Sequence, residues 1–103
     1  MRMITVIVKE PNEPVGHIEE VNVAFESLQK LVGGYIEAIP ITKDISVLCN
    51  EDGRLLGLPA NCFVRPKVQT VGTIVVIGKG DYNFENCPCT LGAWESYLKR
   101  INN

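Results

Sequence analysis

The sequence has little of what would mark a function at once: one histidine, one tryptophan and no block of like charge. Its 10 basic and 12 acidic residues nearly cancel, so the basic face of a protein that binds duplex nucleic acid is not expected. No apolar run has the length of a membrane-spanning helix, and no membrane association is expected. The hydrophobic share of 46% and the charged share of 21% are ordinary for a globular protein, so we expect one domain, residues 1–103.

The N-terminal stretch MRMITVIVKEPNEP has a short apolar run between Met3 and Lys9 and no small-residue cleavage site. We interpret it as a strand and not as a secretion signal. The expected location is therefore the cytoplasm, where thiols stay reduced.

The four cysteines do not have the spacing of a structural zinc site, in which two to four residues separate paired ligands. Cys87 and Cys89 are separated by one residue, and a disulfide between them would be strained. Cys49 ends an apolar run and has the character of a small buried hydrophobe, while Cys62 stands alone. We therefore predict no metal and no cofactor.

No catalytic constellation is evident either. His17 lies in a polar segment beside Glu19 and Glu20, with no serine or cysteine near it in sequence to activate, and we interpret it as a solvated loop histidine. The Gly-Lys-Gly-Asp stretch at 78–81 follows an apolar strand but lacks the spacing of a nucleotide-binding loop, and a plain turn is favoured. No catalytic residue is predicted, and the balance is against an enzyme.

Periodicity predicts an α+β fold with a mostly antiparallel sheet of four to five strands and two packed helices, at about 22–33 and 90–101. Asn22 and Thr90 are the predicted N-caps, and the first helix is expected to stop at the double glycine that begins with Gly33. The predicted strands are Met3 to Val8, Tyr35 to Ile41, Ile45 to Cys49 and Val71 to Ile77, with a short extended piece at Leu55 to Leu58.

A binding site is most favoured between Gly33 and Lys67, where glycines, asparagines and scattered cations are concentrated. Exposed backbone, amide side chains, one aromatic ring and a few positive charges would suit a small, planar, anionic ligand such as a nucleotide. The alternative is that the glycines and asparagines only form turns. The candidate ligand-binding residues are Tyr35, Asn50, Arg54, Gly57, Asn61, Arg65 and Lys67.

Three segments resemble a bacterial family that is catalogued as a domain of unknown function and is frequent in bacteriophages and other mobile elements. They are LQKLVGGYIE at 28–37, NEDGRLLGLPAN at 50–61 and VGT at 71–73. The resemblance covers most of residues 3–78 and implies a bacterial host, but no established activity. Cys62 departs from it, since the family commonly has arginine there; if that arginine binds a ligand, Arg65 would have to substitute.

The resemblance leads to three hypotheses. The first is a non-enzymatic, homo-oligomeric binding module that sequesters a small nucleotide-like ligand, such as a cyclic-nucleotide signal of bacterial immunity, and so acts as a counter-defence sponge. The second is a protein-interaction module that inhibits a host defence or regulatory protein. The third is a small enzyme that acts on nucleotides, for which the sequence offers no identifiable general base.

Overall fold

The computed structural model describes residues 2–103, and its main element is an antiparallel sheet of six strands. The spatial order is β2-β1-β7-β4-β3, with β8 paired to β7, while β5 and β6 form a separate two-stranded sheet. The elements are β1 Met3–Lys9, β2 His17–Asn22, α1 Phe25–Val32, β3 Ile36–Pro40, β4 Ile45–Asn50, β5 Ala60–Arg65, β6 Val68–Val71, β7 Ile74–Lys79, β8 Phe84–Glu85 and α2 Leu91–Asn102.

The predicted α+β class is confirmed. The main sheet has one layer on each face, because alternate side chains of its central strands point to opposite sides. In β7, Val75 and Ile77 face α1, whereas Ile74 and Val76 face the β5–β6 hairpin and α2. This coverage of both faces explains why β7 is apolar from Ile74 to Ile77.

Helix α1 packs Leu28 and Val32, one turn apart, onto the sheet. It ends as predicted: Gly33 has φ +83°, and its N–H donates to the carbonyl of Gln29. The predicted start was wrong, because Asn22 belongs to β2 and the helix begins at Phe25. The Asn22 side chain instead accepts a hydrogen bond from the backbone N–H of Ala24, in the turn that leads into the helix.

Helix α2 covers the opposite face with Trp94 and Leu98, and Thr90 is its N-cap as predicted, accepting a hydrogen bond from Ala93 N–H. The indole of Trp94 donates to the carbonyl of Val15. Near the end of the helix, the Asn102 amide exchanges two hydrogen bonds with the backbone of Phe63 in β5. The Asn102 side chain thus gives the edge of β5 the two backbone hydrogen bonds that a neighbouring strand would provide.

Three local predictions were wrong. The predicted extended piece at Leu55 to Leu58 is absent, since residues 51–57 form a series of turns and Leu58 N–H donates back to Gly53 O. The predicted Val71 to Ile77 strand is interrupted at Gly72, which has φ +73°, so β6 and β7 are separate strands. The polar segment that holds His17 is strand β2, paired with β1 along its whole length.

Gly78 lies within β7 and is required by close backbone packing, not by a ligand. A Cβ atom at this position would lie 2.0 Å from the carbonyl oxygen of Asn86. The 84–87 segment closes onto β1 here, since Cys87 N–H donates to Thr5 O. Neither helix within residues 2–103 has the length and apolarity needed to cross a bilayer.

Candidate functional site

A cleft of about 270 Å³ separates the β3–β4 edge of the main sheet from β6 of the small sheet. The 51–57 turn forms one end of the cleft, and the β5–β6 turn contributes to its wall. Its lining residues are Glu37, Ile39, Cys49, Asn50, Glu51, Arg54, Leu55, Lys67, Val68, Gln69, Thr70 and Val71.

Lys67 has the least favourable backbone conformation on the wall of the cleft. It is the one non-glycine residue with positive φ, +67°, within residues 2–103. Arg65 pairs with Val68 across the hairpin, so Pro66 and Lys67 are the two central turn residues. Because proline fixes its φ near −65°, the turn follows the type II pattern, which favours glycine at the place of Lys67. A lysine there costs on the order of 1 kcal/mol.

Arg54 connects the 51–57 turn to β6 across the end of the cleft. Its Nη2 donates to the backbone carbonyl of Gln69 at 2.5 Å. A guanidinium has five N–H donors in a rigid plane, so this bond orients the group and leaves further donors for a ligand.

The cleft carries charges of both signs that do not pair with one another. Glu37 and Glu51 line it together with Arg54 and Lys67. Among residues 2–103 the ion pairs involve other side chains, namely Arg2–Glu85, His17 with Glu13 and Glu19, and Lys99–Glu95. All four cleft charges are therefore available to a ligand.

Asn50 also borders the cleft, but its side chain has a structural role. It is 4% exposed; its Nδ2 donates to Val32 O at the end of α1, and its Oδ1 accepts from Asp52 N–H at 2.8 Å. The amide thus joins the helix end to the 51–57 turn. A ligand contact by Asn50 stays a prediction and would have to come in addition to these bonds.

The cleft therefore brings together three of the seven predicted residues: Asn50, Arg54 and Lys67. The other four lie outside its lining. Tyr35 and Gly57 are exposed on nearby turns, and the Arg65 guanidinium donates to Pro40 O at 3.4 Å.

Asn61 is enclosed in a junction between β1, β5 and the 72–73 connection. Its Nδ2 donates to both Lys9 O and Gly72 O, and its Oδ1 accepts from the Lys9 ammonium group. Every polar atom of the Asn61 side chain is thus used within the fold. We call this the Asn61 junction.

Burial makes three of the four cysteines poor nucleophiles. Burial raises the pKa of Cys49, on the cleft wall, to about 11 and that of Cys87 to about 12, so both are protonated at neutral pH. Burial also raises the pKa of Cys62. No group of three or more potential metal-ligating side chains occurs within residues 2–103.

His17 lies between two carboxylates on β2 and its flanking turn. Its Nδ1 is 2.8 Å from Glu13 Oε2, and its Nε2 is 3.4 Å from Glu19 Oε2. The hydrogen bond with Glu13 is the main cause that raises the pKa of His17. The pKa of Glu13 is lowered, first by the backbone N–H of Glu10 and then by His17. These bonds hold the 10–16 connection between β1 and β2 against the start of β2.

Sequence reasoning missed Glu37, Glu51 and Gln69 as lining residues because it missed the β5–β6 hairpin that forms the opposite wall. The sequence signal was weak: a short run, Asn61 to Arg65, precedes a Pro-Lys turn, but the apolar Phe63 between Cys62 and Val64 hides the alternation of buried and exposed positions.

One comparison with known proteins identifies a family. The family model described as "Domain of unknown function (DUF3846)" matches residues 3–101, which extends past the 3–78 range of the resemblance and covers nearly all of α2. No curated protein and no solved structure matches the chain. The match spans nearly all of the 103 residues, and the chain therefore belongs to this family of unknown function, DUF3846.

Proposed function

We propose that this protein binds a small nucleotide-like molecule in the cleft between β3–β4 and β6 and holds it without converting it. The observation that carries the proposal is Lys67, a cationic residue kept at φ +67° on the cleft wall where glycine would fold more favourably. Backbone strain of this kind is found preferentially at ligand-binding positions, where the side chain has a use that compensates its conformational cost.

The charges of the cleft suit a ligand with a phosphate and a polar ring. Arg54 and Lys67 supply the donors that a phosphate accepts, the guanidinium in a planar fork and the ammonium as a point charge. Glu37 and Glu51 supply acceptors for exocyclic amino groups of a base. A purely anionic ligand would leave the two carboxylates unfavourably placed, and for this reason we favour a nucleotide over inorganic phosphate.

The volume of the cleft favours a ligand of mononucleotide size. About 270 Å³ is just below the range of roughly 300–1,000 Å³ that is usual for small-molecule pockets. A larger cyclic dinucleotide would extend past Leu55, which lines the cleft and is 88% exposed. In that case a second copy of the chain would cover the part of the ligand outside the cleft, and the predicted homo-oligomer would complete the site.

The finer hypothesis is a sponge that captures cyclic-nucleotide immune signals for a phage or mobile element. It rests on the resemblance described above and on the cleft chemistry together. Sequestration needs tight binding and slow release, and it does not need a general base. Turnover of a bound nucleotide would favour the enzyme hypothesis instead.

The test is thermal unfolding with a panel of linear mononucleotides, cyclic mononucleotides and cyclic dinucleotides, beside inorganic phosphate. A ligand at 100 times its Kd stabilises by about 2.7 kcal/mol, which raises the Tm of a domain of this size by roughly 10–20 °C. Native mass spectrometry of the same mixtures reports stoichiometry and oligomeric state. The absence of any shift across the panel would overturn the proposal.

A matched pair of variants locates the site. Arg54→Gln should weaken binding of the stabilising nucleotide by about 10- to 100-fold, because it removes a charged hydrogen-bond donor. Lys30→Ala removes an exposed cation from α1, on the other face of the sheet, and should leave the affinity unchanged. Equal affinities in the two variants would place the ligand elsewhere.

A protein-interaction role has one observation in its favour. Leu55 and Leu56 are adjacent in the 51–57 turn and are 88% and 61% exposed. Exposed neighbouring leucines are typical of a contact surface. If this turn binds a host protein, Leu56→Ser, at the leucine outside the cleft lining, should weaken its capture and leave nucleotide stabilisation intact, whereas a loss of both would assign Leu56 to the ligand site.

A further inference from the structure

Cys87 and Cys89 bring two thiols together at the base of α2. Their sulfur atoms are 3.3 Å apart, although only Pro88 separates the two residues in sequence. Both side chains are half-buried and pack against the core on the α2 side of the sheet. This pair is separate from the cleft, whose lining includes neither residue.

The backbone on both sides of the pair is held in place. Cys87 N–H donates to Thr5 O at 2.8 Å, which pins the segment to β1. Pro88 fixes one backbone torsion between the two thiols. Thr90, directly after Cys89, is the N-cap of α2 and accepts a hydrogen bond from Ala93 N–H. The two sulfur atoms are therefore preorganised by the fold.

We propose that Cys87 and Cys89 form a two-thiolate site for a soft monovalent metal ion of the Cu(I) type. Thiolates select Cu(I) over hard cations because both partners are polarisable. Zinc is disfavoured since it requires four ligands, and residues 2–103 contain no cluster of three potential ligands. Cu(I) can be bound by two sulfur atoms alone, so the one-residue spacing of Cys87 and Cys89, which is unfavourable for zinc, is compatible with Cu(I).

Binding is a ligand exchange with no change of oxidation state. Two S–H groups each lose a proton, two sulfur–metal bonds form, and one Cu(I) gives a dithiolate complex of charge −1 with two protons released. The positive end of α2, which begins at Leu91, lies beside this negative complex.

The distance between the thiols requires only a local adjustment. At 3.3 Å the sulfur atoms are well beyond the disulfide length of about 2.05 Å. With metal–sulfur bonds of about 2.3 Å, as for zinc thiolates, a linear arrangement would separate them by about 4.6 Å. A side-chain torsional change that moves the sulfur atoms apart by about 1.3 Å meets this requirement, and a bent arrangement needs less.

The experiment is an anaerobic titration of the folded protein into the coloured Cu(I) complex of bicinchoninate, followed by native mass spectrometry. One copper per chain is expected. Cys87→Ser and Cys89→Ser should each lower the affinity by more than about 100-fold, beyond the usual cost of losing a group that only orients a ligand. Cys62→Ala, which removes a buried and solitary thiol, is the matched control and should keep the full stoichiometry.

Alkylation of the copper-loaded wild-type protein locates the ion without relying on variants. Labelling is carried out for a prolonged time at alkaline pH, because the raised pKa of Cys87 makes its thiol slow to react. Copper should protect Cys87 and Cys89 from iodoacetamide, and removal of copper by a chelator should restore their labelling. No competition with bicinchoninate, or unchanged copper binding in both serine variants, would overturn the proposal. Formation of a Cys87–Cys89 disulfide with glutathione disulfide, without any copper binding, would also overturn it in favour of a redox role.

Discussion

The Asn61 junction and the cleft are two polar regions in one small domain, and they use similar residues in opposite ways. In the junction, Lys9 is 3% exposed and its ammonium group donates to the Asn61 side chain. In the cleft, Lys67 has a strained backbone and no ion-pair partner within residues 2–103. Residue type alone therefore does not separate the two lysines. The Lys9 ammonium group has an acceptor within the fold, and the Lys67 charge, unpaired among the described residues, is the one free to contact the proposed ligand.

The largest effect is expected from breaking the junction. Asn61→Ala leaves the buried Lys9 ammonium and two backbone carbonyls without their partner, and should cost about 3–5 kcal/mol of unfolding free energy. Urea denaturation measures this loss. Below the melting transition, nucleotide affinity should be unchanged. A stable Asn61→Ala protein with weakened binding would place Asn61 in the site.

Asn50 combines features of both regions, because it borders the cleft but its side chain is hydrogen-bonded within the fold, as that of Asn61 is. Asn50→Ala should lower the unfolding free energy by about 1–3 kcal/mol, since Val32 O and Asp52 N–H both lose a partner. Arg54→Gln, on the surface of the same cleft, should cost less than about 1 kcal/mol. If Asn50→Ala retains full stability and loses affinity, Asn50 is a ligand-binding residue as the sequence suggested.

The smallest effect is a pH dependence from His17, a third polar region that is open to solvent. Its raised pKa means that its contribution to stability is complete below the ordinary value of 6.5 and is lost as the pH rises through the folded value. Glu13 has a lowered pKa, so its contribution to stability is complete above its ordinary pKa of 4.5. That contribution is lost as the pH falls through the pKa of the folded protein.

The contributions of His17 and Glu13 to the unfolding free energy are therefore both present between about pH 4.5 and 6.5. Because solvent screens these groups, their sum stays below about 1 kcal/mol. The urea midpoint should fall slightly between pH 6 and pH 8 in the wild-type protein. His17→Gln should remove most of this fall. A midpoint that rises over the same interval would contradict the assignment.

The sequence predicted the parts of the fold that follow from local rules. The helix stop at Gly33, the Thr90 cap and the apolar β1, β4 and β7 strands all depend on periodicity and on glycine or capping chemistry. Strand β2 was missed because His17, Glu19 and Glu20 make it polar. It is an edge strand, with half of its surface in water, and its pairing with β1 is a tertiary effect.

The candidate site was predictable only in part, for a related reason. Arg54 and Lys67 stood out as cations in a region rich in turns, and both line the cleft. The saturation of Asn61 by Lys9 and Gly72 depends on contacts between residues 11 and 52 positions apart, which no local pattern reports. The positive φ of Lys67 likewise requires the hairpin geometry to be known.

If Lys67 keeps its unfavourable backbone conformation because its side chain binds a ligand, the Lys67→Gly variant should gain stability and lose affinity. Relief of the strain, offset by the larger unfolded-state entropy of glycine, should raise stability by about 0.5–1 kcal/mol. The affinity for the nucleotide that stabilises the wild-type protein most, measured by calorimetry, should fall about 10-fold or more. A more stable variant with weaker binding is the predicted result; unchanged affinity, or a loss of stability, would contradict it.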